Sequence, residues 1–455
     1  FNVVKLYWKI FYWPIGVTVG IMLLLSGLLL IFKDNIKSYA IQEVNNYLNK
    51  KVNVGFIDVT IWSSFPNMSI DFENVFVASQ FGSEITMDTA LFARKISLKF
   101  NPLDFLKSDY TVHRIDVSDA QFNMVIRNDG QINYDFIQVS DDSVKEESNF
   151  DFELSKLQLK NTDFNYRNAL TSQRYAMNFK ELLFSGKFNQ DQFDMEIDTD
   201  LQLDYLYSGN FKILGNKNAQ LKSELAIDQK RQLFQITSAA LYINQLPFLI
   251  NGAIDNEQMK FNIQSNKISL ADFTNNFTWQ ELDVIRDFQG TGMVDFDLTI
   301  EGAVSNEEMP AIDASFNIEN GSITDHQIKI TDIYLNGIYT NGIKSGQEKV
   351  ILEKIRFNND GSQFEGDLTI NTFDNPRFKG KMNGALNLAA IHRLFGPFNL
   401  DLLNGTVSLT SHFDLQMLNP KHAPSQLKIH DLRCNATLNQ VLIHAASLSF
   451  PVTFA

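Results

Sequence analysis

Seven histidines (His113, His326, His392, His412, His422, His430 and His444) and one cysteine, Cys434, are the chain's stock of metal ligands and soft nucleophiles. No two histidines stand in an H-E-x-x-H frame, which would set both on one helical face around a zinc ion. His422, His430 and Cys434 come nearest to a ligand set, but strand rise spreads such a spacing over tens of ångströms. The G-x-S-x-G elbow of an activated serine and the G-x-x-x-x-G-K-[ST] phosphate loop are both absent. Gly290-Thr291-Gly292 opens like a dinucleotide loop but runs on into MVDF, a strand, where glycine gives backbone freedom. Asp141, Asp142, Glu146 and Glu147 fall in a polar stretch without a rigid frame for acid–base work. Asp194, Glu196, Asp198 and Asp200 recur at period 2, which favours one wet face of a strand over a calcium site. Asn320-Gly321-Ser322 is a glycosylation string only in a pathway that glycosylates. Nothing assembles into a catalytic set, so the expectation is no enzyme, no cofactor and no metal.

Composition narrows the alternatives. In 455 residues, 44% are hydrophobic, 20% charged, and only 23 are Gly and 10 Pro. This is a folded chain rather than a linker or a disordered one. A net charge of −14 argues against wrapping nucleic acid, which is bound by neutralising phosphates. A single cysteine excludes an internal disulfide framework. Phe, at 38, far outnumbers Tyr at 13 and Trp at 4, so most of the aromatic surface carries no polar handle.

The segment Ile10–Phe32, IFYWPIGVTVGIMLLLSGLLLIF, holds no charge. As a helix it would be about 34 Å long, enough to cross a hydrocarbon core of ~30 Å. Ile10, Phe11, Trp13, Leu23, Leu24, Leu25, Leu28, Leu29, Leu30 and Phe32 are its expected lipid-facing and interfacial residues. Tyr7, Trp8, Tyr12 and Trp13 cluster at one end, as interfacial aromatics do. The run is longer than a signal-peptide core and no small-residue cleavage site follows it, so residues 1–33 are expected to be an uncleaved anchor. Residues 34–51 carry an apolar stripe (Ile36, Ala40, Ile41, Val44, Tyr47, Leu48) at helical spacing and read as a juxtamembrane amphipathic helix.

From Val52 the period drops from 3.6 to 2. MSIDF, ISLKF, FDMEID, MKFNI, FDLTI and VSLTSHFDL all alternate apolar and polar, the mark of strands with one buried and one wet face. Short polar turns such as RNDGQ, FNQDQ, DNEQ and NNDGS separate them and favour antiparallel neighbours. The expected fold is mainly β: a long, curled, mostly antiparallel sheet with an apolar inner face forming an open groove, plus a few short helices. Ser269–Phe277 and Asn387–Phe395 read as two of these helices. The acidic stretch Ser140–Asn149 reads as a linker between a first β unit, 52–139, and a repetitive body, 150–455. The strand-like run at the last residue, Ala455, suggests truncation at the C-terminus.

The order of these features resembles the AsmA-like proteins of Gram-negative bacteria. Ser64-Phe65-Pro66-Asn67-Met68 and Phe72-Glu73-Asn74-Val75-Phe76-Val77 are similar to two phrases near the start of that family, although Lys50-Lys51-Val52 stands where its turn has Gly-Arg/Lys-Pro. Arg127, Asp129, Gly130 and Asn133 match a third phrase, and MPAIDASFNIENGSI and FEGDLTINTFDNPRFKGKMNGALNL resemble the C-terminal strands. The resemblance implies an inner-membrane anchor, a β-rich periplasmic body, a role in outer-membrane lipid homeostasis, and kinship with bridge-like lipid-transfer proteins.

Together these readings predict a sheet that shields lipid acyl chains. Exposing a chain of about 16 carbons to water costs on the order of 13 kcal/mol at ~0.8 kcal/mol per methylene, and a continuous apolar lining lowers that barrier. The candidate lining residues are Phe193, Met195, Ile197, Leu201, Leu203, Met259, Phe261, Ile263, Phe296, Leu298 and Ile300. The expected partners are membrane phospholipids and envelope proteins, with transfer passive or powered elsewhere. The competing expectation is an anchored, non-enzymatic scaffold or assembly factor, in which the same apolar faces close into dry cores.

Overall fold

The computed structural model describes residues 52–60, 67–79, 81, 89–101, 112–134, 155–187, 192–209, 211–277, 290–303, 310–325, 328–342, 347–359, 362–395, 402–418, 426–444 and 452–454. The expected anchor 1–33, the helix 34–51 and the acidic stretch 140–149 lie outside them. Among the described residues no helix is long and apolar enough to cross a membrane. The chain divides into two units, 1–230 and 231–455.

Unit 1 is an open sheet of β1 (Asn53–Thr60), β2 (Met68–Ala78), β3 (Thr89–Phe100), β4 (Val112–Ile126), β5 (Lys156–Asn168), β6 (Gln173–Gly186), β7 (Gln192–Ser208) and β8 (Phe211–Asp228). Each strand pairs with the next, antiparallel except for β4 and β5. Those two run parallel from Arg114 opposite Lys156 to Ile126 opposite Asn168. A parallel pair needs a crossover connection, which a short turn cannot make. The RNDGQ turn makes a short antiparallel return, Ile126 opposite Ile132, with the Arg127 N–H donating to the Gln131 carbonyl at 2.9 Å and the Asn133 N–H to the Val125 carbonyl at 3.1 Å, while the long partner of β4 is β5. Because β4 and β5 are partners, the strands on either side of the acidic stretch share one sheet.

A break in the pairing crosses this sheet from strand to strand, with the register unchanged on either side of it. The pairing skips Gly55 against Asn74, then Arg94 against Asp119, then Asn161 and Lys180. Asn74, Asp119 and Asn161 adopt left-handed backbone, with φ of 53°, 50° and 48°. Asn and Asp tolerate that region better than other side-chain-bearing residues. The Asn161 amide donates to the Asp119 carboxylate at 2.5 Å, and Arg94 pairs with the same carboxylate. These two donors, the Asn161 amide first, hold the Asp119 pKa below its ordinary value. Bulges of this kind bend strands and increase their twist. Within a strand the buried positions change parity there, from Ile70 and Phe72 to Val75 and Val77 on β2, and because the interruptions stand side by side the strands stay in register and the apolar face continues.

Burial differs along unit 1. On β1 to β4, Val59, Met68, Ile70, Phe72, Val75, Ala93, Phe100 and Val112 form a filled core. On β7 the apolar positions are only half-buried. The phrase containing Arg127, Asp129, Gly130 and Asn133 folds as a clamp. The Asn133 carboxamide is fully buried, accepts from the Val125 N–H at 2.7 Å and donates to the Asn123 carbonyl at 2.8 Å. Gly130, at φ 82°, lets its N–H return to the Arg127 carbonyl at 3.0 Å.

Unit 2 contains β9 (Leu233–Ile243), β10 (Leu246–Asp255), β11 (Gln258–Ser269), α1 (Leu270–Asn276), β12 (Thr291–Ala303), β13 (Ala311–Asp325), β14 (Ile328–Thr340), β15 (Lys349–Asn359), β16 (Ser362–Asn371), β17 (Arg377–Asn387), α2 (Leu388–Phe395), β18 (Leu402–Leu418), β19 (Gln426–His444) and β20 (Val452–Phe454). Every strand pairs antiparallel with the next. Tight turns set the register: Asn244-Gln245 and Asn256-Glu257 both have two successive positive φ angles, the geometry that matches strand twist. The two helices stand where the sequence placed them. Ser269 caps α1 by accepting from the Asp272 N–H, and Asn387 caps α2 by accepting from the Ala390 N–H.

Replacing Asn133 by Ala leaves the Val125 N–H and the Asn123 carbonyl buried without partners. The expected loss is about 2–6 kcal/mol, at roughly 1–3 kcal/mol per unmade buried hydrogen bond. Equilibrium urea unfolding measures it; a loss below a few tenths of a kcal/mol contradicts the clamp.

Candidate apolar binding face

The sheet register decides which apolar residues meet. In unit 1, Phe193, Met195, Ile197, Leu201 and Leu203 share one face of β7. They stand opposite Ile227, Gly186, Phe184, Phe179 and Met177 on the flanking strands. In unit 2, Met259, Phe261 and Ile263 of β11 meet Gly302, Ile300 and Leu298 of β12, while Phe296 faces Ser265 on one side and Phe316 on the other. All eleven predicted residues are half-buried. They fall into two groups, one in each unit.

Following the partners of Ile263 outward reveals a longer feature. Ala239, Ile250, Ile263, Leu298, Ala314, Tyr339, Val350, Ile370, Phe378, Leu415 and Ile429 are directly opposed, one per strand, from β9 to β19. Ten interstrand steps at ~4.8 Å make this row about 48 Å long. It contains no charged residue. A second row lies beside it: Ser265, Phe296, Phe316, Gly337, Leu352, Leu368, Gly380, Phe413 and Leu432. The first row is half-buried from Ile250 to Leu415 and ends at Ile429, which is 57% exposed. In a filled sandwich these positions would be buried against a facing layer.

Glycine and phenylalanine are directly opposed at two places in the second row, Phe316 with Gly337 and Gly380 with Phe413, for a steric reason. A Cβ on Gly337 would come within 2.3 Å of the Phe316 ring, and one on Gly380 within 3.0 Å of the Phe413 ring. Each ring therefore leans over the bare backbone of its cross-strand neighbour, which levels the apolar face and shields the exposed peptide.

Both helices pack on this same face. Phe277, at the end of α1, meets Phe248 of β10 edge-on at 6.2 Å, and Phe248 meets Phe296 at 5.9 Å. Ala390 of α2 is buried with Ile330 against Ile323, Ile333 and Phe357. The helices follow β11 and β17. Six antiparallel steps separate those strands, so both run in the same direction and both helices leave from the same border of the sheet.

The opposite face is mostly polar, with Leu249 and Ile338 exposed on it. It holds a concavity of about 810 Å³ whose lining includes Lys354, Arg356, Glu365, Lys381, His412 and Arg433. Lys354 and Arg356 both lie over the Tyr334 ring, at 5.3 and 5.7 Å. Nearby, Arg377 makes a two-point bond to Asp414, at 2.6 and 2.8 Å, and holds that carboxyl below its ordinary pKa of 3.8. No group of three or more metal-ligating side chains occurs among the described residues. His430 contacts Gln416 at 3.2 Å, Cys434 is exposed on β19, and His422 lies outside the described residues.

Sequence reasoning missed the part of the rows on β13 to β19. Its signal was present, since FEGDLTI and VSLTSHFDL alternate as clearly as MKFNI. Only the register shows that Ile370, Phe378 and Leu415 continue the line begun at Ile263.

What these features define is an open, amphipathic β-sheet protein. The chain gives no match to any family model, curated protein or solved structure with which it was compared.

Two predictions follow from this geometry. Gly337→Val forces the Phe316 ring off the sheet and is expected to cost about 1–3 kcal/mol in urea unfolding, as overpacking does; an unchanged midpoint refutes the ring-over-glycine contact. Asp414 has a folded pKa below its unfolded one, so its contribution is present above the unfolded value of 3.8 and lost as pH falls through the folded value. Acid titration of the unfolding midpoint is expected to show this loss, and Arg377→Gln to shrink it; an unchanged acid limb in the variant contradicts the pair.

Proposed function

We propose that this chain is a non-catalytic, inner-membrane-anchored protein of the periplasm. Its body shields lipid acyl chains on the apolar face of an open, curled β-sheet and supports passive phospholipid transfer or outer-membrane homeostasis. One observation carries the reading: an uncharged row of side chains runs through eleven successive strands and is half-buried on the nine from β10 to β18. A row of that kind offers an alkyl chain the contact that water denies it, at ~0.8 kcal/mol per methylene, without any charged group to bind it tightly at one place. Phe and aliphatic side chains suit fluid contact of this sort. The apolar segment Ile10–Phe32 supports the anchor, and the AsmA-like phrases support the compartment.

A scaffold that holds envelope proteins is the second reading. The observation favouring it is β19, whose residues Gln426–Gln440 are almost all exposed, including Leu427 at 58% and Leu432 at 50%. An exposed strand edge is a template for pairing with another chain.

Photoreactive amino acids separate the two. Placed at Phe261 and Leu298, they are expected to cross-link phospholipid on irradiation, while the same groups at Asn262 and Thr299, on the opposite face of the same strands, are not. Equal labelling of both faces, or labelling of protein alone, overturns the lipid reading.

A further inference from the structure

The lipid face has unequal borders, and this sets how an amphiphile must lie on it. Resting on the reading above, we propose that lipids bind unit 2 in one orientation: the polar head at the border opposite α1 and α2, the acyl chains over the rows between. The ligand class is a phospholipid or another amphiphile with a charged or strongly hydrated head.

Among the described residues the helix border carries an apolar cover on its sheet side, with Asp272 and Asn275 of α1 turned to solvent. On α1, Leu270 and Thr274 are buried, and Phe273 and Phe277 lie 4.8 Å apart, with Phe277 reaching Phe248. On α2, Ala390 is 1% exposed and sits over the ends of β13, β14 and β15. A charged head placed beneath that apolar cover would lose water without gaining a partner, which is costly. The far border is different. It is made of turns: Asn256-Glu257 between β10 and β11, Asn341-Gly342 after β14, and Thr372–Pro376 between β16 and β17. Among the described residues no helix covers it. Phe373 stands in the last of these turns, 43% exposed, stacked at 6.4 Å on Tyr339, which belongs to the first apolar row. The apolar surface therefore reaches this border and meets water there, the arrangement a head-and-tail molecule matches. An orientation fixed by borders, rather than by a head-binding pocket, leaves head chemistry unselected and allows movement across the strands along the rows.

The test uses the full chain with Cys434→Ser, so that one introduced thiol carries the dye. Phe373→Cys labels the open border, and Asn275→Cys, an exposed position on α1, labels the helix border. Each protein is loaded with phosphatidylcholine bearing a nitroxide either on the choline head or on the terminal acyl carbon. Head nitroxide is expected to quench the dye at position 373 several-fold more than at 275, and tail nitroxide to reverse that ratio. Quenching by both nitroxides that does not distinguish the two borders, or a head signal stronger at 275, overturns the orientation while leaving lipid binding intact. No quenching by either nitroxide at either site means that no lipid occupies the face, and refutes the functional reading and the orientation together.

Discussion

A β-strand cannot choose which of its side chains share a face, because successive residues point to opposite sides of the pleat. In an antiparallel ladder that parity passes from each strand to the next through directly opposed residues. All else described here depends on its being preserved over many strands. A one-residue slip anywhere would move the apolar set of every later strand to the wrong face. The bulges are where the chain contends with this. In unit 1 they are matched, Asp119 beside Asn161 and Asn74 beside Arg94, so that both partners skip together and the register survives. In unit 2 the irregularities at Lys267, Asn320 and Asp332 again use left-handed backbone. The price of a continuous face is a set of strained positions, most of them Asn or Asp.

The two units use the same alternation differently. On β1 to β4 it makes a core that is filled, with Ile70 and Phe100 each 1% exposed. On β9 to β19 it makes a surface on which the first row stays half-exposed from Ile250 to Leu415, although others such as Phe364 and Phe413 are buried. Residue type does not separate these outcomes, since Phe, Ile and Leu supply both. The difference is whether other side chains pack over the face. Among the described residues of unit 2 the two short helices do so at one border, where Phe248 and Ile330 are buried.

Much of this was legible in the amino-acid order. Alternation gave the strands, DNEQ and NNDGS gave hairpins, and the change of period at Leu270 and Leu388 gave both helices. The eleven candidate residues do lie on apolar faces at half burial. Three things were hidden, each for a physical reason. The parallel pairing of β4 with β5 depends on a crossover, which leaves no local pattern. The bulges at Asp119 and Asn161 need a partner on the adjacent strand to reveal them. The length of the rows depends on register, and register is a property of pairs of strands, not of either alone. Arg127, Asp129, Gly130 and Asn133 stood out as a phrase, but only the buried bonds of Asn133 show that it is a structural clamp.

Since each strand adds one side chain to each row, the sheet behaves like a text with a reading frame of two. Duplicating or deleting a whole hairpin would lengthen or shorten the apolar band by about 10 Å and leave the rest in frame. Losing one residue within a strand would put everything downstream out of frame, unless a bulge on the neighbouring strand absorbed it. Such a body evolves most easily in hairpin-sized increments, with its span a variable quantity and its cross-section a fixed one.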